Sequence, residues 1–211
     1  GSTIEYTESA RKIIKQVINE YSIKSMLDAP CGSFHWMPLV LREIRDEFKS
    51  KSEHFKYHGV DAVESIIEAS QQKYVNETDW KFSVCDFSEE KLPDGYDLIF
   101  SRDALQHLSY EKIFYSLKAY SEAKNAKYLL VGSYLDFLGK NKDIHIGEEF
   151  LIDLTEIPFG LVGYERFYRE DVDLNDEFKK YLVLYNIPGY LSQFDFVALK
   201  SRLNLTRVNH L

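Results

Sequence analysis

Three aspartates stand where short apolar runs of the sequence end. Asp28 lies in SMLDAPCGSFHW, Asp61 ends YHGVD, and Asp86 follows WKFSVC. A carboxylate in such a position can balance a cation or accept hydrogen bonds from the hydroxyl and amino groups of a ligand. It can also simply cap a helix or form a turn. Each aspartate taken singly therefore leaves both interpretations open.

Two acid–histidine pairs could transfer a proton. Asp103 and His107, in SRDALQHL, are four residues apart and would share one face of a helix. Asp143 and His145 lie close together in KDIHIG. A histidine oriented by a carboxylate is a suitable general base, and we rank His107 ahead of His145. In the alternative interpretations, Asp103 caps a turn while His107 packs in the core, or either pair binds a divalent metal. We predict no metal site, because the sequence offers no convincing carboxylate triad.

The composition favours one globular domain with a neutral or cationic ligand. The 211 residues are 45% hydrophobic and 15% aromatic, which is enough to fill one core, and they carry a formal net charge of -8. This charge argues against nucleic acid and anionic membranes as partners, since both require a surplus of Lys and Arg. Two cysteines without CxxC spacing predict neither a disulfide framework nor a zinc site and favour the cytoplasm. No apolar run is long enough to predict a membrane span.

Hydrophobic periodicity predicts that helices and strands alternate up to residue 134. Helices are predicted at 5–21, 37–48, 63–74 and 110–122, and strands at 25–29, 57–61, 80–85, 96–100 and 128–134. Such a βα series predicts an α/β fold, with a mainly parallel sheet and helices on both faces. Ligands of these sheets bind at the carboxyl ends of the strands. The aspartates and the Asp103–His107 pair are therefore expected at one edge of the sheet.

The last third of the sequence has a different pattern. Residues 135–175 lack a clean period and are predicted to form a loop or cap on the substrate side. Two strand-like runs at 181–187 and 194–200, separated by PGYLS, predict a C-terminal antiparallel hairpin. Aromatic side chains in this part could form the core of the cap or offer ring faces to a neutral ring such as a sugar: Tyr134, Phe159, Tyr164, Phe167 and Tyr168.

The turn after the first predicted strand contains a single glycine, Gly32. A dinucleotide site needs G-x-G-x-x-G so that the backbone can approach a pyrophosphate, so this turn predicts another ligand. It resembles the first motif of the class I methyltransferases that depend on S-adenosylmethionine (SAM), typically D-x-G-C-G-x-G, with Pro30 and Phe34 replacing two glycines. DAPCGSFHWM further resembles a subgroup with D-x-P-C-G-D-F-x-W-M, apart from Ser33. The resemblance continues through YHGVDAV, YDLIFSRDALQHLSYEKIF, KYLLVGSY and NKDIHIGEEFLIDLTEIPF.

The resemblance implies a Rossmann-like methyltransferase domain over residues 1–211, with SAM as its cofactor. Asp28 and Gly32 would line the methionine moiety. Asp61 would accept from the ribose hydroxyls, and Asp86 would accept from the adenine amino group. The resemblance also implies a cofactor role for Pro30, Cys31, Phe34, Trp36, Phe87 and Arg102. Cys31 could instead be a small buried filler, and the two aromatics could be core residues or contact the sulfonium through a cation–π interaction.

By the same resemblance, the acceptor would be a sugar hydroxyl on a glycan, with a deoxyhexose such as rhamnose as one example. The subgroup resembles methyltransferase domains joined to glycosyltransferases in large DNA viruses. We therefore expect a sugar or glycan partner, a location in the host cytoplasm if the protein is viral, and room for linked glycosyltransferase domains in a longer protein. Gly1 and Ser2 resemble an expression scar, which agrees with an excised domain. The alternatives are a protein, peptide or other small-molecule methyltransferase, and a SAM-binding module without catalysis.

Overall fold

The computed structural model describes residues 3–135, 140–145, 147–171 and 179–205. The helices in these residues are α1 (Glu8–Glu20), α2 (Met37–Ser50), α3 (Glu64–Lys73), α4 (Tyr110–Glu122) and α5 (Phe196–Arg202). The strands are β1 (Ser25–Asp28), β2 (Lys56–Asp61), β3 (Trp80–Val84), β4 (Leu98–Ser101), β5 (Tyr128–Ser133), β6 (Arg166–Arg169) and β7 (Tyr181–Asn186). Short 3₁₀ turns occur at Leu105–His107 and Leu191–Gln193.

The strands form one seven-stranded sheet in the order β3-β2-β1-β4-β5-β7-β6. The pairs among β1 to β5 are parallel, whereas β7 is antiparallel to both β5 and β6. The predicted α/β fold, with a mainly parallel sheet and antiparallel C-terminal strands, is therefore confirmed. The strand order reverses between β1 and β4. In sheets of this kind, the carboxyl ends of the strands at such a point form a crevice in which ligands bind.

Two hydrophobic clusters cover the two faces of the sheet. On one face, α1 and α2 bury residues such as Ile14 and Leu41 against Met26 and Phe100. On the other face, α4 packs residues such as Leu117 against Leu129. The alternation of side chains along each strand separates the two clusters, and helices on both faces are confirmed. In the described ranges, no helix is both long and apolar enough to cross a membrane.

The first strand of the predicted C-terminal hairpin, 181–187, is confirmed as β7, but the second, 194–200, is wrong. The run at 194–200 forms the start of α5, where the Asp195 carboxylate accepts from the backbone N–H of Ala198 at 2.8 Å. This N-cap favours a helix over a second strand. The partner of β7 is instead β6, inside the stretch predicted as loop. The rest of that stretch has no regular element among its described residues, and 136–139, 146 and 172–175 lie outside them.

Candidate functional site

The turn between β1 and α2 forms the floor of the candidate site. Its backbone is tied to the neighbouring strand, because Cys31 N donates to Val60 O at 2.8 Å and Gly32 N donates to Asp61 Oδ2 at 3.0 Å. Gly32 has a φ of +55°, a left-handed conformation that a glycine adopts without strain. Apart from its two chain neighbours, none of the residues that the structure describes lies within 4 Å of the place where a Cβ would stand. The turn therefore presents open backbone at the carboxyl end of the sheet.

A cavity of about 290 Å³ lies above this turn. It brings together seven of the residues predicted at the cofactor site and two of those predicted for catalysis. Its lining is Asp28, Pro30, Cys31, Gly32, Ser33, Phe34, His35, Trp36, Met37, Phe100, Arg102, Asp103 and His107. Residues from the turn, β4 and the segment after β4 thus meet at the predicted edge of the sheet.

Asp28 is a carboxyl group in an apolar setting. It is 3% exposed, and its Oδ2 accepts from the Tyr57 hydroxyl at 2.7 Å. Burial raises the pKa of Asp28 to about 8, although the Tyr57 hydrogen bond lowers it, and the nearby Asp61 charge raises it further. No cation contacts Asp28 among the described residues. A positively charged ligand in the cavity would supply the missing charge.

Phe34 and Trp36 have different surroundings. Phe34 is 2% exposed, and its ring centroid lies 4.9 to 5.5 Å from those of Tyr74, Trp80 and Phe82. It therefore anchors the turn in the core, although its φ of +52° is uncommon for a residue with a side chain. Trp36 is partly exposed, and the Arg102 guanidinium carbon lies 5.8 Å from its ring centroid. Trp36 is thus the one of the two that offers ring surface to the cavity.

Asp61 and Asp86 lie at the ends of β2 and β3 with their oxygens oriented by local bonds. Asp61 accepts from Val63 N at 2.9 Å as well as from Gly32 N. Asp86 accepts from the Ser88 backbone and hydroxyl, and its second oxygen lies 3.7 Å from Lys112 Nζ. The carboxylates keep lone pairs for a ligand, but neither is part of the described lining of the cavity.

Phe87 does not lie at the cavity. It is 7% exposed and stacks on Tyr120 at a centroid distance of 6.1 Å and an interplanar angle of 8°. Its ring belongs to the hydrophobic cluster on the α4 face. Phe87 therefore serves the core, and its predicted contact with the cofactor stays a prediction.

Three buried charged groups, Arg102, Glu170 and Lys180, meet the partly exposed Asp103 beside the cavity. Arg102 Nη2 and Nε donate to Glu170 at 2.8 and 3.0 Å, and Arg102 Nη1 donates to Asp103 Oδ2 at 2.7 Å. Lys180 donates to Asp103 Oδ1 and lies 3.9 Å from Glu170. Burial raises the pKa of Asp103, but the charges of Arg102 and Lys180 outweigh this and hold it below its usual value. Asp103 is therefore an ionised hydrogen-bond acceptor and a weak base.

Glu170 and Lys180 were missed by sequence reasoning. Glu170 directly follows β6 and lies 68 residues after its partner Arg102, and Lys180 directly precedes β7 and lies 77 residues after its partner Asp103. The only local signal is a charge flanking an apolar run, which is common at the surface. Their burial at 2% and 3% exposure depends on the β6–β7 pairing.

The predicted Asp103–His107 pair is not formed. Asp103 has a φ of +56° and no helix begins until Leu105, so the two side chains do not share a helical face. His107 Nε2 instead lies 4.0 Å from Glu149 Oε1, in the segment that Phe150 N anchors to Gln106 O at 2.9 Å. His107 is half exposed at the rim of the cavity. It therefore has a different carboxylate beside it from the one predicted.

The predicted Asp143–His145 pair is not formed either. Asp143 Oδ1 accepts from Tyr110 N at 2.7 Å and Ile144 N at 3.0 Å, so it ties the loop to the first residue of α4. His145 is exposed, and its backbone N–H donates to Glu148 at 2.9 Å. The described residues contain no cluster of three or more His, Cys, Asp or Glu side chains that could hold a metal ion.

Comparison with solved structures relates this architecture to known folds. The chain superposes on the methyltransferase domain of bacterial CtHen1 with a TM-score of 0.62 and 18% identity, covering 86% of this chain and 99% of that one. For the magnesium protoporphyrin IX methyltransferase ChlM from Synechocystis PCC 6803, bound to S-adenosylhomocysteine (SAH), the TM-score is 0.60 at 11% identity, over 86% and 83% of the chains. For the O-methyltransferase from a trans-AT polyketide synthase of Brevibacillus brevis, also with SAH, it is 0.57 at 14% identity, over 90% and 76%.

Comparison by sequence gives no such relationship. No model of a known protein family matches the chain, and no curated protein matches it. The likeness is therefore one of fold: the chain has the Rossmann-like fold of class I SAM-dependent methyltransferases.

Proposed function

We propose that this protein is a SAM-dependent methyltransferase. The observation that carries the proposal is Asp28, a buried carboxyl group without a cationic partner at the wall of an open cavity. Burying such a group without a partner is unfavourable. A cationic ligand bound in the cavity would offset this cost. The fold is that of enzymes which include SAH-bound examples.

The other residues of the site also suit SAM better than a dinucleotide. Gly32 is the only glycine in the turn, and the described lining contains one strong cation, Arg102, which Glu170 and Asp103 already neutralise. A pyrophosphate would therefore meet no uncompensated positive charge from these side chains. The cavity suits a ligand with a cation and hydroxyl groups.

Two carboxylates suit polar parts of SAM. Asp28 would hold the positive charge of the methionine part, and Asp61 would accept from the ribose hydroxyls with the lone pairs that its backbone bonds leave. Trp36 would offer a ring face to a cation. When bound, SAM supplies an electrophilic methyl group carried on a sulfonium.

We further propose that the acceptor is a sugar hydroxyl. The support is the resemblance of the sequence to glycan O-methyltransferase domains, together with the groups at the rim. Asp103 stays ionised and can accept a hydrogen bond from a hydroxyl, while His107 can take its proton. If the His107 proton on Nε2 points to Glu149, then Nδ1 is the basic atom.

Mass spectrometry of candidate acceptors tests this function. The protein is incubated with SAM and a panel of hexose and deoxyhexose glycosides and basic peptides, with and without a chelator. We expect a mass gain of about 14 Da, one CH₂ for each methyl transferred, on a glycoside alone. A gain on peptides alone would overturn the sugar acceptor and leave the cofactor proposal standing. Intact SAM binding without turnover on any acceptor would favour a binding module.

A matched pair of variants tests the role of His107. We expect His107→Gln to reduce turnover by roughly 10²-fold or more while SAM binding is retained, since removing a general base has effects of this size. His54→Gln is the control, because His54 is 74% exposed and outside the described lining of the cavity. Equal turnover in both variants would contradict the base assignment.

A further inference from the structure

A second cavity, of about 250 Å³, lies on the opposite face of the sheet from the candidate cofactor site. Its described lining is Leu135, Asp153, Thr155, Glu156, Tyr164, Phe167 and Tyr181. Tyr181 belongs to the hydrophobic cluster on the α4 face, whereas Phe100 of the first cavity belongs to the cluster on the α2 face. The described linings share no residue. Nothing in the methyl-transfer proposal uses this cavity.

Three aromatic rings form one wall of the second cavity. The centroid of Phe167 lies 5.7 Å from that of Tyr164 and 5.6 Å from that of Tyr181, and both pairs are edge-to-face. Tyr164 is 38% exposed and Phe167 is 49% exposed. Neighbouring rings with accessible surface are unfavourable in water unless a ligand covers them. Their negative faces attract cations.

Asp153 supplies a buried carboxylate with a free oxygen. The residue is 3% exposed, and its Oδ1 accepts from the Thr155 backbone at 2.8 Å and the Thr155 hydroxyl at 2.7 Å. Its Oδ2 accepts no hydrogen bond from the residues that the structure describes, and it is not one of the fully buried atoms without a partner, so it is accessible from the cavity. Oδ2 is therefore the polar atom that a ligand in the cavity could reach.

The charge of the lining favours a cation over a neutral ring. Glu156 adds a second carboxylate, and none of the described lining residues is Lys or Arg. A neutral sugar would leave two negative charges uncompensated, whereas an ammonium group would balance them and contact the three rings.

The loop that carries Asp153 is held in place before any ligand binds. Asn141 donates to Asp153 O at 2.7 Å and Ile157 O at 3.0 Å, and its Oδ1 accepts from Asp153 N at 2.9 Å. Ser133 Oγ accepts from Leu154 N at 3.1 Å and so ties the loop to the end of β5. Pre-organisation of this kind reduces the entropy lost on binding.

We propose that this second cavity binds a small organic cation, an alkylammonium group, between the aromatic wall and the Asp153 carboxylate. The site is independent of methyl transfer, so it can be tested without SAM and without an acceptor.

Isothermal titration calorimetry with choline and its uncharged isostere 3,3-dimethylbutan-1-ol tests the proposal. We expect saturable binding of choline and binding of the alcohol that is weaker by roughly tenfold or more, because only choline carries the charge. N-acetyl-Nε-trimethyllysine amide is titrated as well, and the tighter of the two cations tells a free small molecule from a lysine side chain. Equal binding of choline and the alcohol, or no saturable binding of either cation, would overturn the proposal.

Variants of the lining residues test whether the cation binds in the second cavity. Asp153→Asn keeps an oxygen for Thr155 and removes the charge, and Phe167→Leu removes one ring. Each should weaken choline binding by roughly tenfold. If Asp153→Asn does not fold, Glu156→Gln tests whether negative charge in the lining contributes to choline binding, because Glu156 is exposed.

Asp171→Asn is the control for charge, because Asp171 is 80% exposed and absent from the described lining. It should leave choline binding unchanged, and Asp28→Asn should also leave it unchanged. Loss of choline binding in Asp28→Asn but not in Asp153→Asn would place the cation in the first cavity and refute the second site. Failure of methyl transfer would leave these binding results unaffected.

Discussion

Replacement of Asp28 by Asn should stabilise the free protein, and increasingly so as the pH rises. In the folded chain Asp28 is 3% exposed and its main polar contact is the Tyr57 hydroxyl at 2.7 Å. Burial raises its pKa from 3.8 to about 8. Between these values the folded protein holds Asp28 protonated, while the unfolded chain ionises it. The Asn side chain has the same shape, can accept the Tyr57 hydrogen bond and does not titrate.

The size of the effect follows from proton linkage. The folded state binds more protons than the unfolded state between pH 3.8 and about 8, so the free energy of unfolding falls with rising pH across this window. The contribution is fully present below the unfolded pKa and is lost as the pH rises through the folded one. Each pH unit corresponds to about 1.4 kcal/mol. At pH 7 the loss relative to acid pH is therefore on the order of 4 kcal/mol.

Urea unfolding at several pH values between 5 and 8 measures this difference. Trp36, beside the turn, and Trp80, which is 9% exposed, provide fluorescence signals. We expect the stability advantage of Asp28→Asn over the wild type to grow by about 1.4 kcal/mol for each pH unit. Asp46→Asn is the control, since Asp46 is 75% exposed on α2, and its difference from the wild type should not follow this slope.

A stability difference that does not change with pH would refute the reasoning, because Asp28 would then be ionised in the folded protein. An Asp28→Asn variant less stable than the wild type at pH 8 would refute it as well. The same carboxyl group links stability to the proposed cofactor. A bound cation favours the ionised form, so SAM binding should release a proton below about pH 8 and tighten as the pH rises toward that value.

Three other predictions concern the fold around the site. His58 is 1% exposed and burial lowers its pKa from 6.5 to about 4, so its own contribution to stability should fall by about 3 kcal/mol as the pH drops through that window, opposite in sign to the contribution of Asp28. Urea unfolding at several pH values should show that His58→Gln removes this contribution, and a pH dependence identical to that of the wild type would contradict it. Glu170→Gln leaves the buried Arg102 without its main carboxylate and should lower the free energy of unfolding by about 3–5 kcal/mol. The control is Glu165→Gln at an exposed position, which should cause no comparable loss. Gly32→Ala should cost about 1 kcal/mol of stability, because a Cβ is strained at a φ of +55° but comes within 4 Å of no described residue other than its chain neighbours. The new methyl group would occupy the space above the turn, so SAM titration should show a larger loss in binding free energy; unchanged SAM affinity would place the cofactor elsewhere.

The sequence by itself determined the features that depend on local interactions. Hydrophobic periodicity located α4 at its observed bounds and placed β1 to β5 within a few residues, because the face that each residue presents follows from its position in the same segment. The glycine and aspartates of the turn predicted where ligand-facing groups gather, since parallel strands end at one edge of the sheet. Seven of the ten predicted cofactor residues line one cavity for this reason. Their contacts with SAM stay predictions.

Only the tertiary structure decided which charges pair. The sequence pairs Asp103 with His107 on the assumption of a helix, but the left-handed backbone of Asp103 and the approach of Lys180, which directly precedes β7, give Asp103 other partners. Glu170 is brought to the site by the antiparallel pairing of β6, and Glu149 by the cap segment, although the local sequence around neither residue indicates a role there. Pairing over such separations depends on register and on the path of the loops, which adjacent residues do not specify. The second cavity has the same origin, because its carboxylate and its rings come from different segments.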